Sequence, residues 1–340
     1  MKRARVAPDD ALPLDPGYSA WPGRLVEIDG AVTYVRDTPA RSSDAEPALY
    51  VHGLGGSSQN WTDLAGLLAD RLDGQAIDLH GFGRSAPGRS YTIAAFADRV
   101  ARYVEHSGRG PVHLFGNSLG GAIAVRLAGT RPDLVRTLTL ISPAMPFLDP
   151  RRSLQARLVP LLALPGAERL AARWFTQVPP EEMAQQVLEA CFADLTRICD
   201  RRRAEALEEI RIRSTATHYA EAYVRTLRGL VSCFLRAYLP GAGSLWRIAS
   251  RITAPTLVIA GRQDKLIDIR TAPQVARVIP DSRLLIIGGV GHVAQIEVPR
   301  LVARAALALL DETQDYPSGA GHGTLDADVR NALRRAGVAA

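Results

Sequence analysis

Apolar positions along this chain follow two periods in alternation, and the places where the period changes outline the fold. Arg24 to Ile28 and Val32 to Val35, joined at Asp29-Gly30, carry the strand and turn signals of a hairpin. Ala48 to His52, Gln75 to Asp78 and Leu134 to Ile141 are short apolar runs that predict buried strands. Between them, Trp61, Leu64, Leu67 and Leu68 recur at helical spacing behind Ser57 and Ser58 as N-caps, and Thr92 to Glu105 reads as a second helix. Strands alternating with helices predict parallel βαβ units. The alternation then stops. From Met145 to about Pro240 the pattern is helical only, with Met183, Val187, Cys191, Leu195 and Cys199 at i+4 spacing behind Pro179-Pro180, and Glu181 and Glu182 in the first turn. Alternation resumes with strands at Pro255 to Ala260 and Arg283 to Ile287, and helices near Pro273 to Val278 and Val298 to Leu310.

The sharpest change of period lies within Pro111 to Arg131. Val112, Leu114 and Phe115 form a strand-like run, whereas Leu119, Ile123, Val125, Leu127 and Ala128 recur at helical spacing. Ser118 sits at the reversal, between Gly116 and the pair Gly120-Gly121. A tight strand-to-helix turn strains the serine backbone, lifts its hydroxyl clear, and aims the first N–H groups of the helix at any negative oxygen formed beside it. Gly-Asn-Ser-Leu-Gly matches the nucleophile pattern G-x-S-x-G in its required strand-turn-helix context.

Four further motifs occur in order: His52-Gly53-Leu54-Gly55-Gly56, Asp78-Leu79-His80-Gly81-Phe82-Gly83-Arg84-Ser85, Gly261-Arg262-Gln263-Asp264 and Gly291-His292-Val293-Ala294-Gln295. With the serine turn they make the chain resemble the α/β-hydrolase superfamily from about Arg24 to about Leu310. The resemblance implies an α/β fold: a mostly parallel central sheet with helices on both faces and a helical cap inserted in it. It divides the chain into an N-terminal arm (1–20), a core (21–144 and 241–310), a cap (145–240) and a C-terminal tail (311–340). Within the cap, Leu158 to Leu164 is an apolar run; within the tail, Leu325, Val329 and Leu333 outline one amphipathic helix.

A serine hydroxyl needs an adjacent base, and that base needs an acid to hold its tautomer. Of seven histidines, His292 is chosen because it follows the last predicted strand, whose loop reaches back toward Ser118; His52 is read as shaping the glycine-rich loop. Asp264, directly after a strand, is the acid, with Asp268 as competitor. The backbone N–H groups of Leu54 and Leu119 form the oxyanion hole. Serine at 118 excludes relatives on this scaffold that attack with a carboxylate.

Composition narrows the partners. Hydrophobic residues make up 47% and charged residues 22% of the 340, values ordinary for a globular protein. The net charge of +6 is spread out, and all basic residues except Lys2 and Lys265 are arginine, with no basic run interleaved with aromatics, so no nucleic-acid partner is expected. The 14 arginines against 11 acids between 147 and 240 are read as solvated helix faces, with one or two left to face substrate. Cys191, Cys199 and Cys233 are read as buried hydrophobes in a reducing compartment. The N-terminus lacks an apolar signal core and no stretch approaches a membrane span, so a cytoplasmic enzyme is expected. No metal cluster or phosphate loop appears, so no cofactor is expected, and no oligomeric state can be read.

The expected activity is a serine hydrolase that cleaves a carboxylic ester or related acyl compound of apolar character through an acyl-serine. Two other enzyme readings stand beside it. One is carbon–carbon cleavage of a vinylogous diketone acid, since Gly291 to Glu297 looks like the G-H-W-A-Q-W-E of those hydrolases, with Val293 and Ile296 in place of tryptophans. The other is cofactor-free haloperoxidase-like chemistry. A non-catalytic binding module would need no Ser, Asp and His together.

Overall fold

The computed structural model describes residues 1–12, 19–147, 166–239 and 243–314. Among these residues, nine strands form one sheet: β1 (Lys2–Arg3), β2 (Gly23–Ile28), β3 (Ala31–Thr38), β4 (Glu46–Val51), β5 (Leu72–Ile77), β6 (Val112–Asn117), β7 (Val135–Ile141), β8 (Thr256–Gly261) and β9 (Ser282–Ile287). Their order is β1-β9-β8-β7-β6-β4-β5-β3-β2, parallel except where β3 joins β2 and β5. Strands β4, β6, β7 and β8 are buried almost throughout, which is why they read as continuous apolar runs and not as alternating ones.

Helices α1 (Thr62–Leu67), α2 (Ile93–Ser107) and α3 (Leu119–Thr130) connect the first half of the sheet. Among the described residues, four more follow β7: α4 (Ala167–Gln177), α5 (Pro180–Cys191), α6 (Asp200–Thr215) and α7 (Tyr219–Arg236). Then come α8 (Leu245–Ala249), α9 (Thr271–Val278), α10 (Ala294–Glu297) and α11 (Pro299–Gln314). One core layer joins Phe96 and Val100 of α2 to Ile123 of α3 and Leu245 of α8; the other, across the sheet, joins Trp61, Leu64 and Leu67 to Val302, Ala306 and Leu309. Among the described residues, no helix is long and apolar enough to cross a membrane.

Three expectations need correction. An irregular arm is expected over residues 1–20, yet Lys2–Arg3 adds an edge strand beside β9. Ala7 and Leu12 are buried behind it, and Arg304 Nε donates to the Ala7 carbonyl at 2.6 Å. Two residues are too few to show a period. The i+4 series from Met183 does not run to Cys199: α5 ends at Cys191, Leu195 lies in a single 3-10 turn, and Cys199 is exposed at the start of α6 instead of buried. Strict i+4 spacing drifts about 40° per step around a helix of 3.6 residues per turn, so that series could not hold one buried face. The last helix of the core, expected to stop at Leu310, continues to Gln314, so Asp311 to Gln314 belong to α11 and not to a tail. The tail helix outlined by Leu325, Val329 and Leu333 lies outside the described residues, as does the apolar run 158–164.

Candidate active site

Strand order locates the site before any side chain is considered. From β4 the chain proceeds outward through β5 on one side and through β6, β7, β8 and β9 on the other. The loops leaving β4 and β6 therefore part over the sheet, and a crevice opens at the carboxyl ends of those two strands. His52 to Gly56 leaves β4 there, and Ser118 leaves β6.

Ser118 has φ 53° and ψ −117°, in the left-handed half of backbone space that a non-glycine residue enters at about 1–3 kcal/mol. The elbow is held on both sides. The Ser118 N–H donates to the Ile141 carbonyl at 3.0 Å, and the Ser118 carbonyl accepts from Ala144 N–H at 2.9 Å and Ala122 N–H at 3.1 Å. Gly120 is required by space: a Cβ there would lie 2.1 Å from the Val51 carbonyl oxygen, so any side chain would push α3 off β4. The Leu119 N–H is the first of α3 and has no acceptor within the helix.

The facing loop is pinned by His52, which is fully buried. Leu79 N–H donates to its Nε2 at 2.9 Å, so the proton resides on Nδ1, which donates to the Gly53 carbonyl at 2.7 Å. Burial lowers the pKa of this imidazole, which keeps it neutral. Asp78 ties the next loop in, accepting from Ser58 N–H at 2.6 Å and Arg84 N–H at 2.8 Å. Leu54 lies in the turn that the Gly56 N–H closes on the Gly53 carbonyl at 3.0 Å.

The structure separates the two competing carboxylates. Asp264 Oδ2 accepts from His292 Nδ1 at 2.9 Å, while its Oδ1 accepts from Leu266 N–H at 2.8 Å and Ile267 N–H at 3.0 Å. Burial alone would raise the Asp264 pKa, but His292 and the two backbone donors outweigh it and hold the carboxyl below the ordinary value. Asp268 is engaged instead by Arg270, whose Nε lies 2.8 Å and Nη2 2.5 Å from Oδ2. With Nδ1 on Asp264, His292 keeps its Nε2 lone pair for a proton.

Three side chains that the sequence analysis did not single out hold this arrangement. Asn117 Nδ2 donates to the Ile141 carbonyl at 3.0 Å and the His292 carbonyl at 3.2 Å, tying the elbow to the histidine loop. Gln263 Oε1 accepts from Gly289 N–H at 2.7 Å and Val290 N–H at 3.2 Å, joining the loops after β8 and β9. Glu297 accepts from Gly291 N–H at 2.8 Å and, from the helical block, Asp194 N–H at 3.0 Å and Ala193 N–H at 3.3 Å. The signal available in the chain is their place in the motifs themselves: Asn117 precedes Ser118, Gln263 precedes Asp264, and Glu297 closes the stretch that begins at Gly291.

Ser118 and His292 line one cavity of about 150 Å³ with Leu54. The helical block closes it. Val187, Leu188, Phe192 and Ile198 meet Val293 and Ile296 as an apolar wall, while α6 supplies charged groups, Arg202 and Arg213 among them. Cys191 also lines the cavity, but burial first and Asp264 second push its thiol up to about 12, so it holds no thiolate at neutral pH.

Comparison with known proteins agrees with this architecture. The family described as alpha/beta hydrolase fold matches residues 47–299. Over 276 residues the chain is 26% identical to Lipase 3 of Moraxella sp. strain TA144, covering 78% of each protein. It is 26% identical over 311 residues to the 2-hydroxy-6-oxo-6-(2'-aminophenyl)hexa-2,4-dienoic acid hydrolase of Metapseudomonas resinovorans, covering 89% of this chain and 95% of that one. A shorter match, 36% over 122 residues, is to the dihydrolipoyllysine-residue acetyltransferase component of the acetoin cleaving system of Cupriavidus necator; it spans 35% of this chain and 32% of that protein. The chain belongs to the α/β-hydrolase family and is a hydrolase.

Proposed function

We propose that this α/β hydrolase is a cytoplasmic serine esterase, with Ser118 as nucleophile, His292 as base and Asp264 as the acid that orients it. The observation that carries the reading is the 2.9 Å contact of Asp264 Oδ2 with His292 Nδ1, beside a cavity that Ser118 enters from a strained elbow. His292 Nε2 takes the hydroxyl proton as Ser118 Oγ attacks the acyl carbon. The carbonyl oxygen becomes an oxyanion that accepts from the N–H groups of Leu119 and Leu54. Collapse expels the alcohol with the proton from His292 and leaves an acyl-serine. A water then repeats the sequence, releasing the acid and restoring the hydroxyl.

Residues 145–240 act as the cap that admits substrate, and an acyl body lies against Val187, Leu188, Phe192, Val293 and Ile296. Each methylene buried there contributes about 0.8 kcal/mol until the wall is covered. A fluorophosphonate should label the protein at Ser118, and p-nitrophenyl esters should be hydrolysed; label surviving Ser118→Ala would remove the assignment.

Carbon–carbon cleavage is the second reading, favoured by the similarity to the dienoic acid hydrolase and by Gly291 to Glu297. Val293 and Ile296 speak against it, since they offer a planar anionic dienol no aromatic partner. On one preparation, a 2-hydroxy-6-oxo-dienoate should be turned over at least about 100-fold less efficiently than the better p-nitrophenyl ester, since the cavity wall sets Glu209 beside Arg213 and so opposes a carboxylate.

A further inference from the structure

Helix α6 turns one face to the cavity. Arg202, Glu205, Ala206, Glu209, Ile210 and Arg213 recur at three- and four-residue spacing and all belong to the wall that Ser118 and His292 share. Two of these charges are matched to partners already. Arg202 reaches Asp63 at 2.6 and 2.9 Å and Glu205 at 2.5 Å.

Glu209 and Arg213 differ. Glu209 Oε1 accepts from Arg84 Nη1 at 2.9 Å, but Oε2 stands 3.9 Å from Arg213 Nη2, beyond hydrogen-bond range. Glu209 Oε2 and Arg213 Nε are both buried without a hydrogen-bond partner, in side chains only 5% and 10% exposed. The hydroxyls of Ser57 and Tyr219 neighbour Glu209 and Arg213 respectively. Burial would raise the Glu209 pKa, yet Arg213 and Arg84 outweigh it and hold the carboxyl below its ordinary value, so it is ionised at neutral pH. The wall thus presents a carboxylate and a guanidinium side by side, close but not closed on each other. Buried polar groups are as a rule matched, and a gap of this kind in a substrate cavity points to a group that the ligand brings.

We infer that Glu209 and Arg213 form a subsite for a neutral substrate group whose edge carries a hydrogen-bond donor beside an acceptor, a primary carboxamide being the simplest. The inference rests on the acyl-hydrolase reading and names one end of its substrate. A carboxamide places its N–H toward Glu209 and its carbonyl oxygen toward Arg213. A carboxylate would satisfy Arg213 but set its second oxygen against Glu209; an alkyl end would leave Glu209 Oε2 and Arg213 Nε without a hydrogen-bond partner. The substrate is therefore an acyl compound with an apolar body and a polar, uncharged end.

The test uses p-nitrophenyl monoesters of adipic and pimelic acid in three forms that differ only at the far end: carboxamide, carboxylate and an isopropyl isostere. At the better-fitting length the carboxamide should exceed both others in kcat/KM by about 10-fold or more. Arg213→Met should erase its lead over the isopropyl ester, and Glu209→Gln should raise the carboxylate ester relative to the carboxamide by about 10-fold. All readouts are ratios within one preparation, so a partly misfolded variant still reports. A wild-type preference for the carboxylate or isopropyl form, or ratios that neither substitution moves, would overturn the subsite. Should even p-nitrophenyl acetate remain intact and Ser118 resist fluorophosphonate, the acyl-hydrolase reading falls and the subsite with it.

Discussion

The sheet with its elbow and the helical block after β7 are built on different rules. In the core, the elbow and the loop that faces it are placed by backbone. Gly120 has no room for a side chain, Ser118 N–H and carbonyl are both held by β7 and its exit loop, and His52 is locked by two backbone partners. In the helical block, placement is by side chains. Helix α6 faces the cavity with charges, and Glu297 fastens the histidine loop to Ala193 and Asp194 through a carboxylate. On the proposed function, the core fixes the nucleophile through the main chain, and the block tunes what reaches it. Chemistry should be unforgiving of change in the first region and graded in the second.

The widest expected gap is at the elbow. Ser118→Ala should lower kcat by about 10⁴ to 10⁶, some 5 to 8 kcal/mol of transition-state stabilisation, with the urea unfolding midpoint unchanged or raised because the strained residue loses only a hydroxyl. Turnover near that of the parent would break the comparison at its root.

Next is the contest between two aspartates four residues apart. Asp264→Asn should cost about 10³ to 10⁴ in kcat by favouring the wrong imidazole tautomer, whereas Asp268→Asn, which weakens the contact with Arg270, should cost less than about 10-fold. Steady-state rates on one ester separate them, and the reverse order would transfer the role to Asp268.

At the seam between the regions, Glu297→Gln should lower stability by about 1–3 kcal/mol, since one amide oxygen cannot replace two carboxylate oxygens that accept from Gly291, Ala193 and Asp194. Urea titration gives the value. A loss confined to kcat with no change in stability would mean that the clamp acts on the histidine loop alone.

The smallest effect is in acid. Because the folded Asp264 pKa lies below the ordinary 3.8, its contribution to stability is complete above that value and lost as pH falls through the depressed one. Asp264→Asn should therefore flatten the stability profile below about pH 3.8 and leave it parallel above. An unchanged acid limb would show that the carboxylate gains nothing from His292 or from the N–H groups of Leu266 and Ile267.

Much of this is legible in the chain itself. A strand buried on both faces must be apolar throughout, and a helix packed on a sheet must repeat at 3.6, so β4, β6, β7 and β8 and the switch of period at Ser118 can be read without coordinates. The order of serine, aspartate and histidine can be read too. Tertiary structure alone decided that Asp264 meets His292 while Asp268 turns to Arg270, because four residues of loop leave both within reach. It also decided which face of α6 looks inward. That helix is charged on every side, so hydrophobicity carries no phase along it, and only the packing of α5, α6 and the loops after β4 and β9 around one cavity brings Glu209 and Arg213 to its wall. Local period is a property of neighbours in sequence; the pairing of charges across loops depends on distances that only the folded chain supplies.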